Sequence, residues 1–165
     1  MNNHIWPGLS AIKVANYFLE LGRRDGIPID PLKLQKLVYL AHGWSLLFLK
    51  RPLIRERIEA WRYGPVVQTL YKTFQKFGGS PITEFAPVEP NEAAYDLDQQ
   101  TKSLLDAVWQ RYKLLSPIQL SMLTHEPGYA WDLARRGGAL SPWSGPKIPD
   151  GLIEDEFIRR QQEAS

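Results

Sequence analysis

Three histidines, His4, His42 and His125, are the first residues to test for chemistry. A helix-borne metal site would need an H-x-x-x-H or H-E-x-x-H spacing, and none of the three belongs to either. The stretch "THEPGYAW" sets His125 beside Glu126, but one adjacent pair does not make the ligand set a zinc ion takes. The chain has no cysteine, which excludes disulfides, thiolate catalysis and Cys-based zinc sites. No G-x-S-x-G elbow positions a serine nucleophile. The glycine pairs in "FGGSP" and "RRGGALSP" end helices rather than open them, the wrong polarity for cradling a phosphate. The run Glu154-Asp155-Glu156 sits where a helix begins, and reads as an exposed acidic turn that complements the helix dipole. No constellation for catalysis emerges. The expectation is a non-catalytic protein without metal or cofactor.

Nucleic-acid binding is the next class to weigh. Net charge is only +2, yet residues 1–80 carry 12 Lys/Arg against 5 Asp/Glu, and residues 81–165 carry 8 against 13. Such asymmetry marks either an anionic partner or two halves that pack together and neutralise one another; the second reading is the simpler. "LSPIQLSMLTHEPGYAWDLARR" can be read as helix, turn, helix. A recognition helix works mainly through its early residues, which here are Tyr129, Ala130, Trp131 and Asp132. An acid and two bulky aromatics make a poor surface for phosphate or base edges. DNA or RNA is therefore not the expected partner.

Recognition of another protein remains. The chain holds six Trp and seven Tyr, and Trp, Tyr and Arg dominate interface energetics. Most of these aromatics suit a helical core, but "EAWRYGPVV" (Glu59 to Val67) is different. Three bulky residues in a row cannot all point inward on a strand, where successive side chains alternate faces. Either Arg62 or the Trp61/Tyr63 pair has to face outward or be covered by another segment. Lys50, Arg51, Arg55, Arg57 and Arg62 form a candidate basic patch for a partner, with a solvated loop as the plainer alternative.

The elements that would position these residues are mostly helical. Ser10 caps an amphipathic stretch that Gly22 ends. Asp30 and Pro31 open a second helix, apolar on most of its circumference after Leu37 and so central. Lys33 and Lys36 sit near its positively polarised entry with no reason visible in the sequence. Gln35, Tyr39 and His42 line one side at four- and three-residue spacing. Residues 57–61 alternate as a short strand, with Ile82 to Phe85 a possible pairing partner. Gly64-Pro65 starts the next helix, which Gly78-Gly79 stops. Residues 80–98 form an acidic, Pro-rich internal loop without a basic residue. Asp98 caps a helix, Ser116 with Gln119 makes a capping box, and two further helices lie near "YAWDLARRGG" and "DGLIEDEFIRRQQ", the last with Asp155–Arg159 and Glu156–Arg160 pairs.

The sum is a mainly α, single-domain bundle over residues 1–165, of about six helices with at most one small two-stranded β element. The longest apolar run, Leu37 to Leu49, is interrupted and short of the roughly 20 residues a membrane span needs. The N-terminus lacks the basic flank and apolar core of a signal peptide. A cytoplasmic protein without membrane attachment is expected.

Three stretches carry a resemblance to a known family. "KLQKLVYLAHGWSL" (Lys33 to Leu46), "IEAWRYGPVVQTLYKTF" (Ile58 to Phe74) and "LSMLTHEPGYAW" (Leu120 to Trp131), in this order, resemble the Panacea domain, the SocA-like antitoxin family associated with phages and mobile elements. The resemblance implies a compact, helical antitoxin that neutralises a toxin encoded beside it by direct binding, on a scaffold shared among many unrelated toxins. It also implies an alternative role, since one branch delivers its toxin to a AAA+ protease; a DNA-binding autoregulator is the alternative from a different class, and would show salt-sensitive duplex binding. The family motif falls on Glu59, Trp61, Arg62, Tyr63, Gly64, Pro65, Val66, Tyr71, Thr124, His125, Glu126 and Trp131. Where the family commonly has Gly-Pro-Trp or Gly-Ala-Trp, this chain has Gly128-Tyr129-Ala130-Trp131.

On this basis, Glu59 to Val67 is expected to end a strand and cap the next helix. Trp61 and Tyr63 would anchor the junction on "THEPGYAW", with Arg62 held by Glu126 or Asp132. The junction is then either scaffold or toxin contact, scaffold being the favoured reading; in that case toxin contacts come from variable surface such as Lys50 to Arg57 and the acidic loop.

Overall fold

The computed structural model describes residues 6–88, 97–138 and 141–164; His4 and part of the acidic loop lie outside them. The element that organises these residues is α2 (Pro31–Phe48), in which every residue from Lys33 to Leu46 is buried. Asp30 caps it, accepting from the Lys33 N–H at 2.7 Å, and Pro31 fills its first position. A helix apolar almost all round must be enclosed. Around it pack α1 (Ala11–Asp25), α4 (Gln99–Tyr112), α5 (Pro117–Thr124) and α7 (Asp150–Glu163). Two short helices, α3 (Gln68–Phe74) and α6 (Ala130–Arg135), a 3-10 turn at Gln75–Phe77 and one sheet of β1 (Glu59–Trp61) with β2 (Gly64–Val66) complete the described elements. Gly43 lets α7 approach closely: a Cβ there would lie 2.1 Å from the Phe157 ring. The mainly α expectation with one two-stranded element is what the structure has, with seven α-helices among the described residues instead of about six.

Several local expectations are corrected. Helix α1 passes through Gly22 and stops at Gly26, whose φ of +67° supplies the left-handed residue that ends a helix. Gly22 serves close packing instead, since a Cβ would meet the Ile27 carbonyl at 2.9 Å. Ser10 occupies the cap position without bonding through its side chain. The Glu56 carboxylate takes that role, accepting from the Ala11 N–H at 2.6 Å. Residues 82–85 do not pair with the 57–61 segment; the Ile82 N–H bonds to the Ile29 carbonyl. The strand at Glu59 instead folds straight back on Gly64–Val66, so Pro65 lies in a strand and α3 begins at Gln68. Glu156 is not on an exposed acidic turn: it is buried and accepts from the Tyr39 hydroxyl at 2.8 Å, the Arg160 Nε at 2.9 Å and the Ala130 N–H at 3.1 Å. Arg159 reaches Glu163 rather than Asp155.

Candidate partner-binding site

The stretch Glu59 to Val67 forms an antiparallel hairpin, with Glu59 opposite Val66, Ala60 opposite Pro65 and Trp61 opposite Gly64. Arg62 and Tyr63 make its turn. Gly64 closes it at φ +119°, a conformation L side chains rarely adopt. The outer edge of β1 is held by residues 141–148: the Ala60 N–H donates to the Pro146 carbonyl at 2.8 Å, and the Arg62 N–H to the Ser141 carbonyl at 3.0 Å. The other side rests on α2. Gln35 forms a reciprocal pair with Val67, its amide donating to the Val67 carbonyl and accepting from the Val67 N–H, both at 3.0 Å. A buried side chain thereby replaces a missing strand partner. Lys36 donates to the Pro65 carbonyl at 3.2 Å. Lys33 donates to the Lys113 and Leu115 carbonyls at 2.6 and 2.9 Å, satisfying orphan groups at the end of α4. The two lysines without a reason in the sequence thus tie α2 to the hairpin and to α4.

The third motif also packs on the hairpin: a Cβ on Gly64 would lie 3.2 Å from the His125 ring. The Trp131 indole N–H donates to the Trp61 carbonyl at 2.8 Å, and the His125 and Trp131 ring centroids are 4.1 Å apart. Trp61 is buried, bonds to the Glu59 carboxylate at 3.0 Å and meets Tyr71 edge-on at 5.1 Å. His125 donates through Nδ1 to the Ser121 carbonyl. Its pKa is lowered by burial, and by the nearby Lys36 and Arg135 charges against the pull of that hydrogen bond. Asp132 caps the tight turn before α6, accepting from the Gly128 N–H at 2.8 Å and from Arg135 and Arg136 at 3.0 and 2.7 Å. These bonds, the Gly128 one foremost, hold its carboxyl below the usual range.

The expected anchoring is half present. Trp61 docks against the "THEPGYAW" segment, but Tyr63 is 62 % exposed. Arg62 is exposed too, and Asp132 is held by Arg135 and Arg136 instead. The chain resolves its crowding by tucking Trp61 in and turning both following residues out. Thr124 is buried against the Ser121 carbonyl, Gly64, Pro65 and Val66 are buried in the hairpin, and Glu126 is exposed. Within the basic group, Arg51 stacks on Trp6 at 3.9 Å and pairs with Asp98 at 3.0 Å, so it locks the start of α4. Arg57 pairs with Glu59, and Arg55 lies 3.8 Å from Glu56; Lys50 is exposed at φ +57°. These five do not make one bare cationic face. The early residues of α6, Tyr129 to Asp132, are all buried.

What the residue patterns did not reveal lies beside Tyr63. Two adjoining hollows share Leu32 and Tyr63 in their walls. One, of about 210 Å³, is also lined by Lys36, Trp61, Leu70 and Tyr71. The other, of about 380 Å³, is lined by Ile118, Ser121, Met122 and His125. Ile118 and Met122 are 69 % and 66 % exposed. Among the described residues no Asp or Glu lines either hollow. The available signal was α5 itself: "PIQLSMLT" is apolar on both faces, so burying Leu120 leaves Ile118 and Met122 outside. The Lys36 side chain is fully buried, and desolvation pulls its ammonium down from 10.5 to about 7.

Among the described residues no cluster of His, Asp and Glu could hold a metal ion, and no helix is long and apolar enough to cross a membrane. Residues 34–132 match the family model described as antitoxin SocA-like, Panacea domain. The chain is 32 % identical over 155 residues to Antitoxin SocA of Caulobacter vibrioides (strain NA1000 / CB15N), covering 90 % of this chain and 82 % of that protein. No solved structure matches it significantly.

Proposed function

Since this chain belongs to the SocA-like, Panacea-domain antitoxin family, we propose that it neutralises a cognate protein toxin by binding it directly, without catalysis. The observation that carries this reading is the division of labour around the hairpin. The motif side chains Trp61, Thr124 and Trp131 are buried in the scaffold, while Tyr63, Ile118 and Met122 leave an apolar surface open beside them. Exposed apolar hollows on a folded domain mark partner sites. Large side chains of this kind carry most of the energy when a partner excludes water from them. Blocking the toxin is then steric or conformational, with the buried part of the motif as the platform and Tyr63, Ile118 and Met122 as the contact.

Co-expression with the neighbouring gene tests this. The neighbour should arrest bacterial growth alone, and this chain should restore growth and co-purify with its product. An Ile118→Glu, Met122→Glu double variant should stay within about 0.5 kcal/mol of wild-type stability per exposed site yet lose both rescue and co-purification. A harmless neighbour, or rescue without a complex, refutes direct neutralisation. Full rescue by the folded double variant moves the contact elsewhere.

A further inference from the structure

The smaller hollow has an unusual floor. Lys36 lies beneath the hairpin turn, so close that a Cβ on Gly64 would sit 2.5 Å from its Nζ. An ammonium has three donors, and the Pro65 carbonyl at 3.2 Å is the acceptor it reaches. Among the described residues no carboxylate lines the hollow. The neighbouring His125 feels Lys36 and Arg135 as like charges, so the surroundings are cationic. A buried charge without a counter-ion is costly, and α2 could have carried Leu or Met here at no loss of helix propensity. The charge makes sense if something outside the chain completes it.

The walls say what that is. Leu32, Trp61, Leu70 and Tyr71 enclose about 210 Å³, room for one large apolar side chain. The wall shared with the second hollow runs on to Ile118 and Met122, which suits a chain continuing away from that residue. An internal Asp or Glu would bring an anion without the apolar body, and an internal Leu or Phe the reverse. A C-terminal apolar residue carries both on one Cα. We propose that the paired hollows bind the C-terminus of a partner polypeptide, its last, apolar side chain filling the smaller hollow and its terminal carboxylate pairing with Lys36. The residues before it lie along Tyr63, Ile118 and Met122. Tyr63, mostly exposed at the turn, is the wall that swings aside to admit the carboxylate. The inference rests on the antitoxin reading only in taking the partner to be the toxin.

The test uses the full chain and fluorescein-labelled Gly-Ser-Ala-Ala-Leu-Phe, as the free acid and as the C-terminal amide, with anisotropy read at pH 6.5. A charge-assisted hydrogen bond predicts that the acid binds about ten-fold or more tighter than the amide. That preference should vanish in Lys36→Met, and Tyr63→Ala, which leaves the core intact, should weaken the acid form about five-fold or more. Equal binding of acid and amide, no binding of either, or an acid preference surviving in folded Lys36→Met overturns the proposal. So does an unaltered affinity in Tyr63→Ala, which decides the matter should Lys36→Met fail to fold. Competition by free 3-phenylpropionate as strong as by unlabelled peptide would assign the hollow to a small acid and likewise overturn it. Growth rescue by the wild-type chain, scored separately, reports on the antitoxin reading: rescue with no acid preference sinks only this inference, and acid preference without rescue sinks only that reading.

Discussion

Replacing Lys36 by Met keeps the length and apolar stem of a fully buried side chain and removes its charge. Burial lowers the Lys36 pKa from 10.5 to about 7, so between those values the unfolded chain binds a proton that the folded chain does not. Stability therefore rises with pH across that window and falls as pH drops toward 7. Below the folded value the penalty is complete, about 5 kcal/mol at 1.36 kcal/mol per pKa unit; above 10.5 it is gone. Half of the penalty's pH dependence is reached without extreme conditions: from pH 7 to pH 9 the wild-type chain should gain about 2 kcal/mol relative to Lys36→Met. His125, whose pKa Lys36 helps to lower from 6.5, titrates below this window, and the remaining titrating groups are common to both proteins. Urea unfolding of both, followed by tryptophan fluorescence at pH 7, 8 and 9, measures it. At pH 7 the Met variant should be the more stable despite losing the bond to the Pro65 carbonyl, because one hydrogen bond contributes only about 1 kcal/mol. A stability difference flat with pH would refute the reasoning, since Lys36 would then titrate alike in both states.

Other substitutions probe the platform beneath the hollows. Gly64→Ala forces a Cβ onto Lys36 Nζ at a backbone conformation hostile to L residues, and should lose about 1–3 kcal/mol in a thermal melt. Gln35→Ala orphans the buried Val67 N–H and carbonyl; a loss of about 2–4 kcal/mol and faster amide exchange at Val67 are expected. Gly43→Ala drives a methyl into the Phe157 ring and should destabilise by about 1–3 kcal/mol, with changed near-ultraviolet circular dichroism from the Trp44–Phe157 contact.

Much of the fold follows from local rules that act within a few residues of chain. The caps at Asp30, Asp98 and Ser116, the apolar circumference of α2 and the helical spacing of α4 all bear on their own turn of backbone, and the structure has them as read. Gly22 and Gly26 show the edge of that legibility. Both are glycines near a helix end, and only the packing of Gly22 against Ile27 and Ile29 decides that the second one is the stop. The hairpin shows more. "WRYG" announces a break in direction, yet whether Gly-Pro opens a helix or turns a strand back depends on Gln35, about thirty residues earlier, offering its amide to Val67. The same holds for Glu156, whose inward face is set by Tyr39 and Arg160 together. By itself the sequence determined the helical class, the family and the cluster of signature residues, because pattern and motif are one-dimensional. That Lys36 ends up buried under an apolar hollow, with Tyr63, Ile118 and Met122 left in solvent, is decided only when α2, the hairpin and α5 come together. Burial and charge compensation are properties of neighbours in space.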